Sequence, residues 1–312
     1  MWKLIGLFLL TSSLFTACSL SQAQKKDARF KPWSEVAGSE RAATTYEEAE
    51  LVGKITNKSL AEVSGITASR LAPGVFWVHN DSGDKARIYA IDLSGKLLAK
   101  FDVPGAENRD WEDLASGPGA DGKPALYLAD TGDNDRRHET LTIYRVSEPR
   151  LSGDKKSATE PAEAFPFSYP DGKHDGEAIF VDPTNGQIYL ITKTLREDCA
   201  VYRYPLPLRA NQKVTLEKVG GQKIKSIAQL RMVTGAGISP DGLRVVIRTY
   251  FGAFELQRAK GKALATIFDS EPTTLKVPLI GQAEAIAYTA DGKSIVMTSE
   301  KLPAPIYQLM RK

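Results

Sequence analysis

Five segments of this chain begin alike, and that repeat restricts the fold more than any composition does. Their openings are Glu62-Val-Ser-Gly-Ile66, Asp110-Trp-Glu-Asp-Leu114, Asp175-Gly-Glu-Ala-Ile179, Thr234-Gly-Ala-Gly-Ile238 and Gln282-Ala-Glu-Ala-Ile286. A second apolar run follows each: Val75–Val78, Leu126–Ala129, Ile188–Thr192, Val245–Thr249 and Ile295–Ser299. Turn dipeptides such as Asn185-Gly186, Asp241-Gly242 and Asp291-Gly292 separate first from second runs, as in hairpins. A third run carries an apolar residue followed by tyrosine at Tyr89, Tyr144, Tyr202 and Tyr307, with Phe254-Glu255 in the fourth segment. Fourth strands are expected within Leu97–Val103, Ala164–Tyr169, Val214–Met232 and Leu275–Pro278.

The last segment runs out after three strands, and Glu50–Thr56 precedes the first segment as an orphan. If the orphan fills the vacant place, the ring closes and no sheet edge is left open at the join. The fold expected is therefore an all-β, five-bladed β-propeller of four-stranded blades, closed by an N-terminal strand. Six blades, one of them within Leu195–Val233, is the alternative. A β-sandwich explains a five-fold repeat poorly.

In a propeller the first strand of each blade lines the central channel, so equivalent positions form rings. Two residues before the repeat's aliphatic position stand Ser64, Glu112, Glu177, Ala236 and Glu284; four before it stand Glu62, Asp110, Asp175, Thr234 and Gln282. Second strands end at Asp81, Asp130, Lys193, Tyr250 and Glu300, at the same mouth. The candidate ligands are thus Glu112, Glu177, Glu284, Asp81, Asp130, Glu300, Asp110 and Asp175. Lys193, Arg109, Arg248, His79 and His174 are expected around them. Crowded carboxylates must hold protons, recruit cations from the protein, or bind a metal. Oxygen-only ligands favour Ca²⁺ or Mg²⁺. Asp84 and Asp133, in Asp-Ser-Gly-Asp and Asp-Thr-Gly-Asp, read equally well as residues that close turns. The chain has no G-x-S-x-G, no H-E-x-x-H and no phosphate-binding P-loop.

Met1-Trp2-Lys3, the apolar Leu4–Phe15 and Thr16-Ala17-Cys18 read as a signal peptide over 1–17 and a lipidated Cys18. Residues 18–48 form the expected tether and 49–312 the propeller. Ser19 directs such a lipoprotein to the outer membrane, so periplasm or cell surface is expected. Cys199 is the other cysteine of the chain, which leaves acylated Cys18 no intramolecular disulfide. A formal charge of +3 over 312 residues gives no reason to expect nucleic acid. The expectation is a monomer that touches membrane through its lipid alone and takes a small molecule or a protein as partner.

The order HNDSGD, NRDWEDLA, LADTGDN, PDGKHDGEA, GAGISPDG and GQAEAIA, across about Leu60 to Leu309, resembles a family of uncharacterised secreted bacterial β-propeller lipoproteins. That resemblance implies fold and export. The chain is more loosely similar to phytase-like propellers, whose acidic channels hold phosphate on carboxylate-bound Ca²⁺. Three functions follow as expectations: binding of a ligand or partner at an acidic central mouth, with a cation; Ca²⁺-dependent hydrolysis of phosphoric esters; or an envelope interaction scaffold.

Overall fold

A computed structural model describes residues 45–151, 157–194, 199–219 and 232–312. Its sheets form a five-bladed propeller. Blade 1 runs outward as Val63–Ala68, Val75–Asn80, Arg87–Asp92 and Leu97–Asp102. Blade 2 is Trp111–Pro118, Pro124–Asp130, Leu141–Ser147 and Glu163–Ser168. Blade 3 is Asp175–Val181, Ile188–Lys193, Val201–Arg203 and Glu217–Val219. Blade 4 is Val233–Ile238, Arg244–Thr249, Gly252–Gln257 and Thr273–Leu275. Blade 5 takes Ala283–Tyr288, Ser294–Ser299 and Ala304–Met310, and its outer strand is Glu50–Ile55. The stretch suspected of hiding a sixth blade instead supplies, over 199–219, the outer half of blade 3; its remainder lies outside the described residues, as do the leader, Cys18 and most of the tether. The outer strand of blade 4 starts two residues before its expected place.

The orphan strand pairs antiparallel with the last, Glu50 against Gln308 and Ile55 against Ala304. Its bulge at Leu51–Gly53 lets it pass the tight turn of blade 1. The N–H of Lys54 donates to Ser94 O at 3.1 Å, and a Cβ on Gly53 would overlap the carbonyl of Leu93. Glycine is needed there for close approach.

Apolar side chains from facing blades make five clusters among the described residues. Trp77 and Trp111 both lie between blades 1 and 2, so they pack the fold. The recurrent tyrosines do likewise, as with Tyr89 and Tyr202. Cys199 is buried between blades 3 and 4.

One irregularity recurs in every blade. The register between inner and second strands shifts between Val63 and Gly65, Trp111 and Asp113, Gly176 and Ala178, Val233 and Gly235, and Ala283 and Ile286. An extra residue on one strand bends it and re-aims its side chains. The bulges therefore define the true ring.

Candidate functional site: an acidic mouth

The residues at the bulges are Ser64, Glu112, Glu177, Thr234 and Glu284. Blade 4 thus contributes Thr234 where sequence spacing suggested Ala236, because the bulge, not the aliphatic position, sets the equivalence. The two hydroxyl members tie their blade to the next. Ser64 Oγ donates to Glu112 O at 2.5 Å, and Thr234 Oγ1 to Ala283 O at 2.8 Å. The three glutamates are buried.

Seven of the eight expected carboxylates share this mouth. Ligand oxygens of Asp81, Asp110 and Glu112 lie within 4.8 Å of one another, and so do those of Glu112, Asp175 and Glu177. Glu284 feels Glu177 and Glu300, and Glu300 in turn feels Asp81, which completes the circuit. Asp130 is the exception. Register sets it opposite Trp111, one step short of the place held by Asp81 and Lys193 in their blades. Its Oδ1 accepts the N–H groups of Asp110 at 2.8 Å and Arg109 at 3.2 Å, which orders the entry to the inner strand. The shared Asp-Ser/Thr-Gly-Asp motif misaligns the two blades by one residue. Asp84 and Asp133 do close turns, Asp133 taking the N–H groups of Arg137 and His138.

The basic neighbours are few. Lys193 pairs with Glu177 and lies 3.7 Å from Asp175. Arg109 turns to the carbonyl of Asp130 at 3.2 Å. Arg248 is buried with Nη1 3.5 Å from Met297 Sδ. Burial lowers its pKa to about 10, against the pull of Glu284. His79 is fully buried; its Nδ1 meets Asn80 O at 2.9 Å, and its ring stands edge-on to Trp111. Burial lowers its pKa, against the pull of Asp81, and so favours the neutral ring. His174 sits apart with Asp171 at 3.0 Å and Tyr202 at 3.1 Å.

One lysine cannot offset this many carboxylates. Burial first, and then the Glu177 charge, hold Glu112 well above the usual carboxylate range. Burial also raises Glu177 although Lys193 opposes it, and Lys193 itself is pushed up by the acids around it. Burial and Asp81 take Asp110 up to about 6 and Glu300 up to about 7. The mouth must hold protons or a cation.

Asp113 is the residue sequence spacing did not place. It is 0% exposed, its Oδ1 accepts Leu114 N at 2.8 Å, and its Oδ2 accepts Ile179 N at 3.0 Å and Ala236 N at 3.1 Å. One side chain of blade 2 thereby binds the inner strands of blades 3 and 4 across the axis. Its signal was present: the four equivalent positions are Gly65, Ala178, Gly235 and Ala285, which leave the axis for one larger group. Strict alternation would have turned Asp113 away from the mouth; the bulge turns it to the axis.

No protein-family profile matches the chain, and no curated protein matches it. Solved structures that match include hydrazine synthase of Kuenenia stuttgartiensis, at 16% identity and a TM-score of 0.38, over 78% of this chain and 57% of that one. The chain thus spans little more than half the length of that relative.

Proposed function

We propose that the protein binds a hard divalent cation, calcium first, at Asp81, Asp110 and Glu112, and uses it to hold an anionic ligand or partner at the propeller mouth. The observation that carries this reading is the unequal treatment of two triads that share Glu112. Lys193 lies against Glu177 and Asp175, so the inner triad has its positive charge already. In the outer triad Asp81 and Asp110 are half-buried and reach solvent, and nearby Arg109 spends its guanidinium on Asp130. Two carboxylates that reach water and a third, Glu112, buried beneath them, with no ammonium paired to Asp81 or Asp110, suit a cation that keeps several waters and takes more oxygens from a bound partner. The leader sequence supports placing this propeller outside the cytoplasm on a lipidated Cys18.

Elemental analysis and calorimetric titration of the purified chain with calcium and magnesium test the reading. Saturable calcium binding that weakens in Asp110→Asn and Glu112→Gln, with Glu163→Gln unchanged, is expected. Glu163 pairs with Arg145 on the blade rim and serves as the control. Heat-free titrations, or binding indifferent to all three substitutions, overturn it. A phosphoester panel in the calcium-loaded state then separates hydrolysis, to which Lys193 beside the cation would contribute as a phosphate contact, from binding alone.

A further inference from the structure

Past the bulges the inner strands run to the opposite face, and there the channel opens again as a cavity of about 220 Å³. One residue from each blade, Thr67, Ala115, Phe180, Gly237 and Ala287, makes a layer of its wall. Four of these five side chains are small, and that is why space remains at the axis. The floor includes Leu114 and Ala236, whose N–H groups are already taken by Asp113, so it offers apolar surface and no free amide. The hydroxyl of Tyr288, another lining residue, is spent on Glu255, to which it donates at 2.6 Å.

Arg70 is the charged residue of the lining. Arg70 reaches the cavity at Ser116, with Nε 3.3 Å from Ser116 Oγ and Nη2 3.5 Å from Ser116 O. Both contacts are long for hydrogen bonds, so a better acceptor could displace them. The backbone that carries Arg70 is fixed: its N–H donates to both oxygens of Glu148 at 3.1 Å, and Glu148 also takes Trp77 Nε1 at 2.9 Å. A guanidinium fork on a rigid base above an apolar well matches one carboxylate on a flat apolar body.

We infer that this second mouth binds a small monocarboxylic acid of about ten non-hydrogen atoms, its carboxylate on Arg70 and Ser116 and its body on the Phe180–Gly237 layer. The site shares no residue with the acidic mouth, from which Asp113 divides it, and the inference does not rest on the cation.

Ligand-observed NMR with benzoate, cinnamate and hexanoate, against benzamide and cinnamamide, tests it on the full chain. The acids should bind with dissociation constants of about 1 mM, and the amides at least about tenfold more weakly. Arg70→Gln should weaken the acids by about tenfold, the loss of one charge-assisted contact, while Arg70→Lys recovers part of it. Ala290→Trp, at the exposed rim, should cover the opening and abolish binding with an unchanged melting temperature. Glu112→Gln and chelator should change nothing. Equal binding of acids and amides, indifference to Arg70→Gln, or no saturable binding by any acid overturns the inference.

Discussion

Gly132 contributes to the acidic mouth by having no side chain. A Cβ there would overlap Asp110 Oδ2 and Glu112 Oε1. Gly132→Ala should therefore weaken calcium by at least about tenfold while every carboxylate remains, because coordination needs those oxygens in place; calorimetry on the variant decides it. The titration of the same groups gives a second expectation. Unfolded carboxylates titrate near about 4, whereas Asp110 and Glu300 in the fold are raised to about 6 and about 7. The folded, cation-free state thus keeps protons that the unfolded chain has lost. Its stability from these groups is whole below about pH 4 and is lost as pH rises through about 6 to 7. Calcium competes with the same protons. Millimolar calcium should raise the melting temperature at pH 8 and do nothing near pH 4.5, as differential scanning calorimetry will show. An increment flat with pH would count against this assignment. Seven of the mouth's carboxylates were legible in the sequence because a repeat assigns position without knowing structure. Asp130 and Asp113 were misjudged or missed because each depends on strand register, which spacing in one strand does not contain.

Between strands, the connections matter as much as the pairings. In blades 2, 3 and 4 the chain between third and fourth strands crosses to the seam with the preceding blade. Ser157–Ala158 pairs parallel with the outer strand of blade 1, and Val214–Thr215 with that of blade 2. Leu264, Ile267 and Phe268 fill the seam between blades 3 and 4. Blade 5 has no such connection, since its fourth strand comes from the other end of the chain, and Tyr46 takes over the task. Tyr46 is buried between blades 4 and 5, donates to Glu255 at 2.5 Å, and bridges to Arg311. Tyr46→Ala should cost about 3 kcal/mol by denaturant titration, the usual loss for emptying a large aromatic site. Deleting residues 49–57 should cost far more, with aggregation, since Ala304–Met310 would become a bare edge. The closing strand was legible from a simple count of strands per repeat. The seam straps were not, because short segments in long loops carry no periodic signal.

At the scale of the whole molecule, Asp113 holds the disc together at its centre. Burial drives its pKa well above the carboxylate range, while three amide donors favour its charge. Asp113→Ala would orphan those three amides and should destabilise by about 3 kcal/mol or more, measured by chemical denaturation. A cost below about 1 kcal/mol would show that the blades do not depend on it. Export is the other expectation at this scale: fatty-acid labelling should mark the wild type and spare Cys18→Ala, and equal labelling of both would remove the lipid anchor from the proposal. The closed seam has one more consequence. The N–H of Lys312 donates to Thr45 O at 3.0 Å, and that of Glu47 to Met310 O at 2.8 Å. Topologically, residues 45–312 are a loop of five blades with a single nick, and the nick has no privileged address. Joining Lys312 to Thr45 through a short glycine linker and reopening the chain at the exposed Asp121-Gly122 turn should give a permuted protein with the same rosette. Its ends would then emerge on a different sector of the rim.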